Sequence, residues 1–165
     1  MRQALYILGQ LTDDDVEWMI QNGRRHAART GDVLIREGEP VRSLFVLLDG
    51  LVAIERGGKR INTSQPGEFL GELSFVDSRP PSATVKAARD SSLLELPRDV
   101  LVRHLGEDLG FASRFYRAVA VFLADRVRAE IGGGHDPDEL DPDVLDEVSR
   151  AGERFTRILQ RFQRA

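Results

Sequence analysis

A chain of 165 residues with 41% hydrophobic and 30% charged side chains is long enough to bury a core and has the composition of an ordinary globular protein. Its net charge of −4 and its pI near 5.4 argue against broad binding to nucleic acid or to anionic membranes, both of which need a positive surface. It has no cysteine, and so no disulfide frame and no thiolate chemistry.

The first apolar run, Ala4 to Leu8, is soon followed by Asp13, Asp14 and Asp15. It is too short for a signal peptide or a membrane span, and a cytoplasmic location is the default expectation. Thr12 followed by three aspartates is a helix start: a hydroxyl cap with carboxylates over the first turn. Val16, Met19 and Ile20 give that helix one apolar face, Gly23 suits its end, and Leu5, Leu8 and Leu11 are expected to pack the segment onto the body.

From Arg25 the period shortens. The apolar runs Val33–Ile35, Leu44–Leu48, Leu51–Ile54, Thr84–Ala87 and Leu93–Leu96 are separated by turn residues, among them Asp49-Gly50, Gly57-Gly58 and Gln65-Pro66-Gly67. Asp-Gly and Gly-Gly between apolar runs predict hairpins, and about eight short strands at this spacing predict a mainly β chain, a small antiparallel barrel or jelly roll with flanking helices.

Beyond Pro97 the period becomes helical: a segment over Val100–Leu105, then a long helix over 109–131. Phe111, Phe115, Ala118, Phe122 and Asp125 fall near one face, with Val119, Leu123, Val127 and Ile131 beside it. The stripe is wide enough to cover a sheet and still offer a seam to a second helix. Gly132-Gly133-Gly134 breaks the helix as a hinge. The tail, 135–165, runs from acid to base, from Asp136, Asp138, Glu139, Asp141, Asp143, Asp146 and Glu147 to Arg150, Arg154, Arg157, Arg161 and Arg164. That order suits a helix macrodipole, and Asp141-Pro142 suits its start. Val144, Val148, Ala151, Phe155, Ile158 and Phe162 form an apolar stripe over the 141–163 helix. Packing back on the body, exchange within a dimer, or docking to a protein partner would each use it.

The stretch that carries chemistry is Gly71-Glu72-Leu73-Ser74-Phe75-Val76-Asp77-Ser78-Arg79-Pro80-Pro81-Ser82-Ala83-Thr84-Val85. A glycine entering a helical turn exposes backbone N–H groups that suit a phosphate, Glu72 is an acceptor for a sugar hydroxyl, and Ser82 and Thr84 can donate to an anion. The same residues also suit a plain strand–turn–strand connection. The competing chemistries lack their motifs. The histidines, His26, His104 and His135, lie far apart and outside any metal-binding spacing, which argues against a cupin. A Gly-x-Ser-x-Gly elbow and a Walker loop are absent, so no enzymatic activity is expected.

The stretch resembles the phosphate-binding cassette of the cyclic-nucleotide-binding domain family, which includes the regulatory subunit of protein kinase A, the cyclic-nucleotide-gated channels and the catabolite activator protein. The family pattern, roughly G-E-x-A-L-x-x-x-x-P-R-A-A-T-V, is matched at Gly71, Glu72, Leu73, Pro80, Ala83, Thr84 and Val85, and the glycines at 31, 38, 50 and 67 fall in the family's order over roughly residues 12 to 131. The resemblance implies a cyclic-nucleotide-binding-like domain over 1–131, a non-enzymatic regulatory role, and cAMP or cGMP as the ligand class. It places Gly71, Glu72, Leu73, Ser82, Ala83 and Thr84 at the ligand. The long helix 109–131 would pair with its mate in a homodimer, as in dimeric bacterial members. The family's transcription factors append a winged helix-turn-helix, for which the residues after Ile131 are too few, so DNA binding is not expected.

The departure from the pattern is Pro81, where the family has the arginine that pairs with the cyclic phosphate. Proline offers neither charge nor N–H. Losing a desolvated charged partner costs about 2–5 kcal/mol, roughly thirtyfold to several-thousandfold in affinity. Two outcomes follow: a regulatory or assembly module whose nucleotide binding is weakened or lost, or a working sensor in which Arg79, two residues upstream, supplies the guanidinium.

Overall fold

The computed structural model describes residues 7–131 and 142–163. The hinge at 132–134, the acidic stretch 135–141 and Leu5 lie outside the described residues.

The N-terminal helix, α1 (Asp13–Asn22), starts at a complete capping box: Thr12 Oγ1 accepts from Asp15 N at 3.2 Å and Asp15 Oδ2 accepts from Thr12 N at 2.7 Å. Leu8, Leu11, Val16, Met19 and Ile20 are all buried. Gly23 ends the helix in extended backbone, and its role is close approach: a Cβ there would meet Leu94 Cδ1 and, at 2.8 Å, the Met19 carbonyl.

Six strands follow: β1 (Arg24–Ala28), β2 (Val33–Ile35), β3 (Ser43–Arg56), β4 (Lys59–Ser64), β5 (Phe69–Leu70) and β6 (Thr84–Pro97). They form one antiparallel sheet whose spine is the pair β3 and β6, each 14 residues long. Along its outer edge β6 takes β2 near its start and β1 near its end, while β3 takes β5 and β4 in the same way. The result is a roll and not the closed barrel that is one form of the expected fold: β1 and β4 stand at opposite ends of the strand order and do not pair. The number of strands is also lower than expected from the turn signals. Asp49-Gly50 is no hairpin but a bulged bend inside β3, with register shifts between Leu47, Asp49, Leu51 and Val52. Gly50 has φ 111° and lies against Ser91, so a Cβ there would collide with that residue. The two runs at Thr84–Ala87 and Leu93–Leu96 likewise belong to one bent strand.

Side chains of the roll alternate between two cores. Leu44, Val46 and Leu48 of β3, with Leu94 and Leu96 of β6, face the helices. Phe45, Leu47 and Val52, with Val85, Ala87 and Leu93, face the interior of the roll, joined by Ala28, Ile35, Val41 and Leu70. The helical layer holds α2 (Arg98–Glu107), α3 (Leu109–Glu130) and α4 (Pro142–Gln163). Asp108 caps α3 through Phe111 N at 2.8 Å, and Phe111, Phe115, Ala118 and Val119 are buried beneath it. Trp18 stacks on His104 at 3.7 Å between ring centroids, tying α1 to α2, and Arg114 of α3 makes a two-pronged bond to the buried Asp15 at 2.7 and 2.8 Å.

The apolar stripe of the tail helix lies against α1 and the turn before it. Ala151 and Ile158 are buried, Phe155, Leu159 and Phe162 pack beside them, and Arg154 reaches Leu8 O at 2.7 Å, Gly9 O at 3.2 Å and Asp13 Oδ1 at 2.8 Å. In this structure the stripe from Ala151 onward is therefore covered within the chain. The exposed apolar residues of the long-helix region are Leu109, Tyr116, Val127 and Ile131. Among the described residues no helix is long and apolar enough to cross a membrane.

Candidate functional site

The site is built where β5 ends. Gly71 adopts φ 90°, which turns the chain out of Phe69–Leu70 and into a single 3₁₀ turn over Glu72–Phe75. The turn is tight because the glycine nests against the interior core: a Cβ at 71 would lie 3.0 Å from Ile35 Cδ1 and 3.2 Å from Val41 Cγ1. Glu72 is buried at 6% exposure, while Leu73 is exposed. Ser74 Oγ donates to Gly71 O at 2.8 Å and closes the turn.

An arginine from the helical layer braces the far side. Arg98, the first residue of α2, donates to Ser74 O at 3.0 Å and to Ser74 Oγ at 3.3 Å, and its guanidinium lies 4.6 Å over the Phe75 ring. A small cavity of about 190 Å³ opens there, lined by Pro40, Ser74, Arg79 and Arg98 among others.

The loop then runs through Ser78, a left-handed residue with φ 57°, to the two prolines. Arg79 points to solvent with its side chain 85% exposed and interacts with Asp77, N to Oδ1 at 3.1 Å and Nε to Oδ2 at 3.7 Å. Its hydrogen bonds and ion pair go to Asp77 and not to Ser82 or Thr84. The second half of the stretch is laced to two other turns. Pro81 O accepts from Gly38 N at 2.9 Å, and Thr84 Oγ1 accepts from Glu37 N at 3.1 Å. Glu37 Oε2 in turn accepts from Gly57 N at 3.2 Å, so the β2–β3 turn, the β3–β4 turn and the cassette loop meet at one corner of the roll.

At that corner stands a residue the sequence pattern did not single out. Arg56, the last residue of β3, donates from Nε to Ser82 O at 3.0 Å and from Nη2 to Ser82 Oγ at 3.2 Å. Its position depends on pairing across more than twenty residues of chain, and the one local hint is its place just before the Gly57-Gly58 turn. The structure thus sets Gly71 against the interior core, buries Glu72, brings Ser82, Ala83 and Thr84 to the corner, and leaves Arg79 exposed.

The histidines serve the packing. His26 Nδ1 lies 3.1 Å from Glu95, in a cluster with Arg24 and Ser43, and His104 stacks on Trp18; His135 is outside the described residues. Burial of Glu95 resists its ionisation, but bonds from Arg24, Ser43 and His26 outweigh this and hold its carboxyl below the ordinary range.

Comparison with known proteins gives the family. The family model of the cyclic nucleotide-binding domain matches residues 25–108, from β1 to the end of α2. The chain is 33% identical over 84 residues to a cAMP-dependent protein kinase regulatory subunit of Hypocrea atroviridis, covering 51% of this chain and 18% of that protein. It is 30% identical over 124 residues to Glutaminase 2 of Bradyrhizobium diazoefficiens, covering 74% of this chain and 20% of that one. The chain therefore spans about a fifth of the length of these relatives. Among solved structures, the N-terminal domain of a transcriptional regulator from Streptomyces coelicolor A3(2) superposes with a TM-score of 0.64 at 27% identity, covering 79% of this chain and 94% of that one. With half of its length matched by the family model, this chain belongs to the cyclic nucleotide-binding domain family.

Proposed function

We propose that the chain is a non-enzymatic regulatory or assembly module that has kept the ribose end of a cyclic-nucleotide site and weakened its phosphate end. The observation that carries this is at position 81. The family's arginine is a proline here, and the polar atom that proline retains, its carbonyl oxygen, is already engaged by Gly38 N. Around it Gly71 makes its turn, Glu72 is buried, and Thr84 and Ser82 are bonded at the corner, which supports the reading. A site of this kind should bind cAMP or cGMP in the high-micromolar to millimolar range, given a loss of about 2–5 kcal/mol for the missing charge pair.

Isothermal calorimetry of the full chain with cAMP and with cGMP tests this. Saturable binding with a low-micromolar Kd would overturn it. For assembly, the exposed Leu109, Tyr116 and Val127 of α3 and Ile131 at its C-terminal cap support a homodimer along that helix. Light scattering on the native chain and on a Val127→Glu, Ile131→Glu variant tests it, a dimer becoming a monomer being the expected result.

A further inference from the structure

The geometry points to Arg56 as the residue that supplies the phosphate-facing charge which Pro81 cannot. The inference rests on the cassette being a cyclic-nucleotide site, as proposed above.

Three observations carry it. The first is direction. From Val52 to Glu55, β3 pairs with β6 without a register shift, Val52 opposite Ala87 and Ile54 opposite Val85. Side chains at 52, 54 and 56 therefore share a face, and Val52 lies in the core inside the roll. Arg56 projects from the inner face at its rim, one step beyond the pair Glu55–Thr84.

The second is position. The guanidinium reaches Ser82, the residue after the one where the family keeps its arginine, and grips both the carbonyl and the hydroxyl. A phosphodiester seated against Ser82 and Ala83 would meet this planar fork, whose remaining N–H groups can donate to its oxygens. The third is charge. Both acceptors on Ser82 are neutral, and among the described residues no carboxylate forms an ion pair with Arg56, in contrast to Arg24, Arg114 and Arg154. Its positive charge is therefore available to an anion. Arg79 differs on each count: it is turned out to solvent and already paired with Asp77.

The same guanidinium enters from the strand side and remains exposed, so it replaces the lost charge only in part, which is consistent with weak binding.

The test is a titration of the full chain with cAMP and with cGMP, followed by amide chemical shifts up to millimolar ligand, with adenosine and guanosine as probes that lack the phosphate. The native chain, Arg56→Gln, Arg79→Gln, Pro81→Arg and the double variant Arg56→Gln/Pro81→Arg are compared, with the circular dichroism of each checked against the native spectrum. Arg56→Gln is expected to weaken cyclic-nucleotide binding about tenfold, to leave nucleoside binding unchanged, and to cost under about threefold in the Pro81→Arg background, where both arginines address one phosphate. Native binding that Arg56→Gln leaves unchanged, or that Arg79→Gln alone abolishes, overturns the assignment to Arg56. So does a native chain that binds nothing while Pro81→Arg binds. If neither of those two chains binds any cyclic nucleotide, the failure is of the site itself and takes this inference with it.

Discussion

Restoring the arginine at position 81 is the sharpest perturbation the cassette allows. In the Pro81→Arg variant the carbonyl that accepts from Gly38 N is unchanged, so the corner that joins the cassette to the β2–β3 turn keeps its bond. The variant gives up the conformational restraint of one proline in the unfolded chain, a loss of about 0.4–1 kcal/mol of stability. It gains a guanidinium beside Ser82 and Ala83, and a charged pair with a phosphate is worth about 2–5 kcal/mol. Taking the low end, because the loop is half-open at Pro81, affinity for cAMP or cGMP should rise at least about thirtyfold. Calorimetry on the native chain and the variant measures the ratio directly, and thermal melts confirm that the variant folds. A folded Pro81→Arg chain with no gain would show that position 81 does not face the phosphate, and the residue-by-residue placement of the cassette would fall with it.

Gly71→Ala should destabilise the fold by about 1–2 kcal/mol or more, since φ 90° is unfavourable for an L side chain and the new methyl group would press on Ile35 and Val41; urea melts read this, and an unchanged midpoint would contradict the described turn. Stability should also fall on acidification. At Asp15 burial opposes ionisation but bonds from Arg114 and Thr12 outweigh it, and Glu95 is held low in the same way, so both carboxyls sit below the ordinary values of 3.8 and 4.5. The unfolded chain then takes up these protons first, so their contribution is complete above about pH 5 and is lost as the pH drops through the folded-state values. A urea midpoint that rises between pH 5 and pH 3 would refute this, and Asp15→Asn should flatten the dependence. Arg154→Ala should loosen the tail helix by about 1.5–3 kcal/mol through lost charged hydrogen bonds to Leu8 O, Gly9 O and Asp13, seen as faster amide exchange in α4; unchanged exchange would mean the helix is held by Ala151 and Ile158 alone.

What could be read from the chain before its structure was mostly local. The Thr12–Asp15 capping box, the α3 helix starting at Leu109, the Gly57-Gly58 hairpin and the Gly71 turn each depend on a few neighbouring residues, and each stands where the pattern put it. The errors came where local chemistry has two solutions. Asp-Gly between apolar runs makes a tight hairpin when the flanking strands pair with each other. Here Leu44–Leu48 and Leu51–Ile54 both pair with β6, so the same dipeptide became a bend in one long strand. The tail stripe left three outcomes open because an apolar face does not name what covers it. Packing against α1 and the turn before it is joined by Arg154, whose partners Leu8, Gly9 and Asp13 lie at the other end of the chain.

The site divides along the same line. Gly71, Glu72 and Thr84 could be named because a family spaces them in one stretch, whereas the arginines that hold that stretch are remote in sequence. Arg98 grips Ser74 from α2 and Arg56 grips Ser82 from β3, one at each end of the cassette. Between them the loop carries Ser78 in a left-handed conformation and Pro80-Pro81, which restrict the backbone before each ring. A cassette pinned at both ends and stiffened in the middle has little conformational entropy left to lose when it meets a ligand. The cost of Pro81 therefore falls mainly on charge, and Pro81→Arg, which leaves both arginine pins in place, should raise affinity without moving the fold.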